Sequence, residues 1–254
     1  MRTLLLLVLS FALAACIGSS EPEPFSLRPT TSHPDSLLAR LDVDELAEAF
    51  ERLRDAGYTT EVSVDTVGHM LTEDAAFRQI VEVRGEGVRV LSPSGSEPPL
   101  DADPPFVAFD PVARLLPKEP PFQNAAVREM YEVAQVETPD WFADHTVATA
   151  TASRLEGSDP ITRASVSVDT TTGQVVWAQV FRESRSAVFS EQSQAIVGMV
   201  WHENAWWPSF GQLVTDLDVP LQEASRLFLE WRVLSIGGVE LATDTSAAAL
   251  PSFD

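Results

Sequence analysis

The chain has 254 residues, of which 44% are hydrophobic, and its formal net charge is −21 at pH 7. This length and apolar content suit one sizeable globular domain and exclude a chain that is disordered throughout. The acidic excess excludes attraction by charge to nucleic acid or to anionic lipid headgroups, and we interpret it as a solvated acidic surface.

The amino-terminal residues have the pattern of an export signal. Arg2 supplies a positive charge, residues 4–15 are almost entirely apolar, and the only cysteine of the chain, Cys16, follows directly. The apolar stretch is too short to span a bilayer as a helix. The alternatives are a signal that is cleaved and leaves an incidental free thiol, or a signal whose cysteine is modified.

The motif Leu13-Ala14-Ala15-Cys16 favours the second alternative, because it resembles the lipobox of bacterial lipoproteins. The resemblance implies cleavage before Cys16 and fatty acylation of that residue, for example with palmitate, which would hold the protein on a membrane. Ile17 stands where aspartate would favour retention in the inner membrane, so the resemblance implies the outer membrane of a bacterial cell envelope, with the periplasmic or surface face undetermined. Residues 16–35 are small, polar and proline-bearing, and they predict a flexible tether.

The helical spacing of Leu46, Ala49, Phe50 and Leu53 predicts one amphipathic helix over residues 42–57. Alternation of apolar and polar side chains then predicts strands at residues 58–64, 78–84 and 88–91.

A proline-rich segment, residues 92–126, separates these strands from the rest of the chain. Within it, residues 110–117 predict one short helix that begins at a capping aspartate and ends at a proline. Leu115 and Leu116 of this helix are candidates for a lid over a cavity, or for contact with a membrane or a partner.

The second half of the chain predicts a run of antiparallel hairpins. Strands are expected at residues 130–136, 146–155, 161–168, 174–181, 187–202, 206–217 and 226–236, and residues 238–254 are expected to fray. The predicted fold is mainly β, of the α+β class. It is a strongly curved antiparallel sheet, or incomplete β-barrel, of about ten strands capped by helices and formed by residues 36–237.

The order of these elements resembles the bacterial lipoprotein carriers of the LolA and LolB type. The features shared are the leading helix, the proline-rich middle, the Val-Asp-Thr-Thr-Thr-Gly-Gln-Val hairpin at residues 168–175 and the Trp207-Pro208 pair, across residues 40–236. An anchored version is more similar to LolB, or to the actinobacterial lipid-binding lipoproteins, than to the soluble carrier. The resemblance implies an apolar interior that accepts acyl chains. It is one of layout, so no functional residue of that family is carried over.

Large aromatic residues are concentrated in the last third of the chain, where they could line such an interior or simply fill a packed core. The candidate ligand contacts are Trp177, Phe181, Phe189, Trp201, Phe228 and Trp231. Trp206 and Trp207 follow a predicted turn, so they are candidates for exposed contact with a membrane or a partner.

Catalytic and metal-binding patterns are weak in this sequence. The four histidines are His33, His69, His145 and His202, and none belongs to a metal-binding or catalytic motif. We therefore expect no cofactor, no metal and no enzyme activity. The leading hypothesis is a membrane-anchored protein that binds acyl chains, a lipid or a lipoprotein for lipoprotein localisation or lipid transfer. The alternatives are an envelope scaffold with a closed core and a secreted hydrolase. The oligomeric state is left open.

Overall fold

The described residues form one antiparallel sheet with helices packed against it. A computed structural model describes residues 33–41, 43–68, 75–85, 87–95, 125–138, 142, 145–155, 157, 159–186 and 188–241. Cys16, Leu115 and Leu116 lie outside the described residues, as do the predicted helix at 110–117 and residues 242–254. The modification of Cys16 and the lid therefore stay predictions.

Eleven strands form the sheet. They are β1 (Tyr58–Val67), β2 (Ala75–Arg84), β3 (Gly87–Gly95), β4 (Tyr131–Val136), β5 (Val147–Arg154), β6 (Ile161–Asp169), β7 (Val175–Arg185), β8 (Ser190–His202), β9 (Ala205–Asp218), β10 (Ser225–Ile236) and β11 (Val239–Glu240). Their order is β3-β2-β1-β10-β9-β8-β7-β6-β5-β4, and β11 pairs only with β10. The predicted curved antiparallel sheet is thus confirmed, with one short strand more than expected.

The sheet is not closed into a barrel, because β3 and β4 are its two edges and do not pair with each other. These two strands follow one another in chain order among the described strands, although they lie at opposite edges of the sheet. Register shifts at Thr59/Thr60, Ile161/Arg163, Ser167/Val168 and Gly198/Met199 mark irregular pairing. Such bulges increase the local twist and bend of long strands, which is how a sheet of this length becomes curved.

Among the described residues, three helices accompany the sheet: α1 (Pro34–Leu38), α2 (Val43–Ala56) and α3 (Ala125–Arg128). Helix α2 agrees with the prediction for residues 42–57, and it is followed directly by Gly57, whose φ of 76° suits glycine. No helix among the described residues is long and apolar enough to cross a membrane.

Two terminal segments differ from the sequence-based expectation. Helix α1 begins in the last two residues of the predicted tether. Pro34 occupies its first turn, and the ring nitrogen of His33 accepts a hydrogen bond from the backbone N–H of Asp35. At the other end, β11 pairs with β10 at positions where fraying was expected.

Candidate functional site

One face of the sheet is covered by helices, and the strand register shows which residues lie on it. We call it the inner face. Phe50 of α2 packs edge-on against Trp231 of β10, with ring centroids 5.2 Å apart. Residues paired across neighbouring strands share a face, so the row that contains Trp231 belongs to the inner face. It runs Val62, Trp231, Gly211, Val197, Ala178, Val166 and Ala150.

On strands β5 to β8 the inner face consists of small apolar side chains. These residues, which we call the inner floor, are Ala148, Ala150, Ala152, Ala164, Val166, Val168, Ala178, Val180, Ala195 and Val197. All of them are buried. Because alanine and valine are short, other hydrocarbon groups can pack closely against these strands.

The described occupants of the space beside the inner floor are leucines of the amino-terminal helical segment. Helix α1 packs on β4, β5 and β6, while α2 packs on β2 and β9. Leu37, Leu38 and Leu41 belong to the same apolar core as the floor and are almost completely inaccessible to solvent. The guanidinium of Arg40 donates a hydrogen bond to the backbone oxygen of Gly173 at 2.8 Å, which joins the end of α1 to the β6–β7 hairpin.

The opposite face of the same strands, the outer face, carries a different chemistry. One row across it runs Thr151, Ser165, Gln179, Ile196, Gln212 and Glu230. The hydroxyls of Thr151 and Ser165 lie 3.1 Å apart, and those of Thr149 and Ser167 in the next row lie 2.8 Å apart. The central strands thus separate a hydrocarbon face from a largely hydroxyl and amide face.

Two tryptophans are positioned by glycines on the neighbouring strand. The indole of Trp231 lies over Gly211 on the inner face, where a Cβ atom would come within 2.1 Å of it. The indole of Trp177 lies over Gly198 on the outer face, where a Cβ would come within 3.0 Å, and stacks parallel to the ring of Phe210. Each glycine therefore makes room for an aromatic ring.

The six predicted ligand contacts do not converge on one surface. Trp231 lies on the inner face, whereas Trp177, Phe181 and Phe228 lie on the outer face. Phe189 precedes β8, and Trp201 is near the end of that strand with 36% of its surface exposed. Alternation along a strand shows that neighbouring side chains lie on opposite faces of the sheet, but it does not show which face is covered by helices. The positions of the aromatic residues in the sequence therefore did not identify the inner floor. Their role in ligand contact stays a prediction.

Trp206 and Trp207, predicted as exposed contacts, are not equivalent in the structure. Trp206 is buried, and its indole N–H donates to the carboxylate of Asp169 at 2.8 Å. Trp207 is half-buried, and its indole N–H donates to the backbone oxygen of His202 at 3.1 Å. The exposed indole near this hairpin is that of Trp201.

An aromatic cluster surrounds Trp206, and it was missed in the sequence. The rings of Phe142, His145 and Trp201 lie with their centroids 6.0, 4.7 and 5.4 Å from that of Trp206. Phe142 and His145 precede β5, whereas Trp201 and Trp206 belong to β8 and β9. These two pairs are far apart in the chain, so no local pattern relates them. The cluster fastens the segment before β5 to the β8–β9 hairpin.

Asp169 is the acidic member of this cluster. Desolvation opposes its ionisation, but hydrogen bonds from the indole of Trp206 and the backbone N–H groups of Thr171 and Thr172 outweigh that effect. They hold the pKa of Asp169 below its ordinary value. Its carboxylate therefore stays charged and structural, closing the β6–β7 turn on one side and holding the indole on the other.

Within the described part of the chain, no group of three or more histidine, cysteine, aspartate or glutamate side chains is arranged to hold a metal ion.

Tyr131 is a buried tyrosine with a raised pKa. Burial is the main cause of the raised pKa, and the nearby carboxylate of Asp159 adds to it. The hydroxyl of Tyr131 donates a hydrogen bond to the backbone oxygen of Ile161 at 2.7 Å. This tyrosine thus joins the start of β4 to the start of β6.

Comparisons with known proteins give remote structural likeness. No family model matches the sequence, and no curated protein matches it. Among solved structures, a LolA superfamily protein from Nitrosomonas europaea is 13% identical with a TM-score of 0.22, covering 75% of this chain and 91% of its own. A domain described as an outer membrane lipoprotein-sorting protein, from Vibrio parahaemolyticus, is 12% identical with a TM-score of 0.24, covering 80% and 95%.

A DUF1329 family protein from Desulfovibrio piger is also 12% identical with a TM-score of 0.24, covering 79% of this chain and 92% of its own. Scores of this size do not establish a shared function.

Proposed function

We propose that this protein is a lipid-anchored binding protein of the bacterial cell envelope, which holds acyl chains of a lipid or lipoprotein against the inner floor and catalyses no reaction. The observation that carries the proposal is the inner floor itself, a hydrocarbon surface of alanine and valine across four strands of an open sheet. Acyl chains need such a surface and make no demand for polar partners. The floor offers no nucleophile, acid or base, which supports a role in binding.

Access to the floor requires that helix α1 moves, because Leu37 and Leu38 pack in the same core as the floor. A helix of five residues is too short to be stable alone, so α1 depends on these contacts for its conformation. An acyl chain would replace leucine side chains with hydrocarbon of the same kind, so most of the lost apolar contact is regained.

The anchor in this proposal is fatty acylation of Cys16, with the outer membrane as the location. Intact mass spectrometry of protein extracted from membranes should show a chain that begins at Cys16 and carries fatty acyl groups. A chain that begins there with an unmodified thiol would contradict anchoring and leave the binding proposal standing.

Binding is tested with protein that starts at residue 16 and carries Cys16→Ser, titrated with a fluorescent fatty acid such as cis-parinaric acid. We expect saturable binding, with co-purified lipid detected by native mass spectrometry. Leu38→Ala, which shortens a side chain that packs beside the floor, should tighten binding by about tenfold, because less leucine contact must be lost. Leu53→Ala in α2 is the matched control, since Leu53 is equally buried but α2 packs on β2 and β9. Protein that is always empty and binds no probe would contradict the proposal.

The complete burial of Leu38 and Leu41 also favours a second candidate, an envelope scaffold whose core stays closed. It predicts no bound lipid and the recovery of a specific protein partner from envelope extracts. An esterase and glycosidase screen of the same protein tests the absence of catalysis.

A further inference from the structure

The two ends of the sheet differ in their connections. At one end, the turn end, β6 joins β7, β8 joins β9, and β10 joins β11 through tight turns with positive φ at Gly173, Asn204 and Gly237. At the other, the loop end, longer connections join β5 to β6, β7 to β8, and β9 to β10. The last residues of β1 also lie at the loop end.

Large aliphatic side chains are exposed along the loop end. Val67, at the end of β1, is 53% exposed, Leu155 before β6 is 63% exposed, and Val188 before β8 is 66% exposed. Leu221 between β9 and β10 is fully exposed. Each described connection of this end thus presents one aliphatic group to solvent. The turn end also exposes apolar side chains, but Val88 (40%), Trp201 (36%) and Val239 (47%) are each less exposed than any of the four at the loop end.

Leu221 is held outward by an unfavourable backbone. The backbone N–H of Gln222 donates to the oxygen of Val219 at 3.0 Å, with Pro220 at the second turn position and Leu221 at the third with φ of 69°. This is the pattern of a type II turn, which ordinarily takes glycine at the third position. A bulky residue with positive φ is strained, and the fully exposed side chain of Leu221 gains no burial that would compensate for that strain.

The arrangement of the exposed groups suits a bilayer better than a protein groove. Successive loops are two strands apart, or about 10 Å, so the side chains form separate tips along one rim. Asp218 and Glu223 flank Leu221, and Asp65 is exposed near Val67, so anionic headgroups would be repelled. These features point to a zwitterionic bilayer surface.

The described chain also enters the domain at the loop end. The first turn of α1 is fastened there, because Asp35 pairs with Arg128, which donates to the backbone oxygen of Tyr131 at the start of β4. The backbone N–H of Leu155 donates to the oxygen of Met130 beside it. Residues 17–32 reach at most about 60 Å when fully extended, so an anchor at Cys16 keeps this end near the membrane.

We propose that the loop end docks on a zwitterionic phospholipid bilayer, with the side chains of Val67, Leu155, Val188 and Leu221 inserted among the headgroups. The proximity of the loop end to a membrane rests on the proposed anchoring at Cys16. The exposure, strain and charge of the loop end stand without it.

The first experiment supplies its own tether. Protein from residue 16 onward, with Cys16→Ser and an amino-terminal hexahistidine tag, is bound to phosphatidylcholine vesicles that contain a nickel-chelating lipid. A single cysteine at Leu221→Cys carries an environment-sensitive fluorophore, and Asn204→Cys at the turn end is the matched control. We expect a blue shift and quenching by doxyl-labelled lipid at position 221, several-fold stronger than at position 204. Equal quenching at both positions, or stronger quenching at 204, would overturn the proposal.

The second experiment uses the same protein without a tag and measures the vesicle-bound fraction. Leu155→Ser, Val188→Ser and Leu221→Ser together should lower the partition coefficient about tenfold or more, since inserted aliphatic groups are lost. The control removes three exposed aliphatic groups elsewhere, at Val88, Val90 and Leu91 of edge strand β3. An equal loss from both triple variants would contradict a specific docking end. Docking without fatty-acid binding counts against the proposed function alone, and fatty-acid binding without docking counts against this inference alone.

Discussion

At the scale of single residues, two glycines of the sheet, Gly211 and Gly198, each lie beneath a tryptophan ring of the neighbouring strand. Gly211→Ala places a Cβ within 2.1–2.3 Å of the indole of Trp231, which also contacts Phe50 of α2. Because the ring is enclosed, we expect a loss of about 1–3 kcal/mol in the free energy of unfolding, measured by urea denaturation.

Gly87→Ala is the control for that substitution. Gly87 lies exposed at the start of β3, where a Cβ would come no closer than 3.3 Å to the backbone oxygen of Arg84. It should cost much less than Gly211→Ala. Similar losses from both would show that the indole of Trp231 yields easily, and that the packing against α2 is loose.

The buried pair of Asp169 and Trp206 predicts a specific dependence on pH. The folded-state pKa of Asp169 is lowered from an ordinary value of 3.8, so the stabilisation is present above that value and lost as the pH falls through the folded-state pKa. Trp206→Phe removes the indole donor, and it should reduce the free energy of unfolding by about 1–3 kcal/mol at pH 7. The deficit relative to the native sequence should shrink below about pH 4.

Trp207→Phe is the matched control, because its indole donates to an uncharged backbone oxygen. Urea denaturation at pH 7 and near pH 3 should give a similar deficit for this variant at both values. If the Trp206→Phe deficit is also unchanged by acid, the carboxylate of Asp169 is not what the indole stabilises.

At the scale of secondary-structure elements, the sequence predicted those helices and strands that have a clear local pattern of apolar and polar residues. Helix α2 has a regular apolar stripe, and the hairpin of β6 and β7 has alternating strands around a glycine turn, so both were expected close to their observed bounds. Helix α1 has neither length nor stripe. Its leucines become helical because the inner floor buries them, and that contact depends on strands more than a hundred residues away.

The hydrogen bond from Arg40 to Gly173 is the described polar link between α1 and the β6–β7 hairpin. Arg40→Gln should weaken the docking of α1 by about 1 kcal/mol, which corresponds to several-fold faster amide exchange of Leu37 and Leu38. Hydrogen exchange detected by mass spectrometry measures this directly. Arg52→Gln, on the exposed side of α2, should leave exchange in α1 unchanged. Equal exchange in both variants would mean that apolar contact alone holds α1.

At the scale of the whole molecule, the order of the strands and the inner floor could not be predicted from local sequence patterns. Strand β1 pairs with β10 over its whole length, although Tyr58 and its partner Ile236 are at opposite ends of the domain sequence. The alternation of Ala148, Ala150 and Ala152 with Thr149 and Thr151 was visible, and it indicates a strand with one small apolar face. Only the register across four strands makes that face a continuous floor.

The net charge of −21 predicts how the whole molecule responds to salt. Exposed ion pairs, such as those of Arg78 with Glu61 and Arg226 with Asp216, contribute little individually, so repulsion among the excess carboxylates dominates. Raising NaCl from about 0.02 to 0.5 M shortens the Debye length from roughly 20 Å to about 4 Å. The free energy of unfolding at pH 7 should therefore rise by about 1 kcal/mol or more, as an increase in the urea midpoint.

The same titration near pH 4.4, the isoelectric point, provides the control, because the net charge there is close to zero. The increment from salt should be much smaller at that pH, since NaCl then has little net repulsion to screen. An equal increment at both values would point to salting-out of apolar surface instead. A decrease at pH 7 would show that ion pairs, and not repulsion, govern the electrostatic stability of the open sheet.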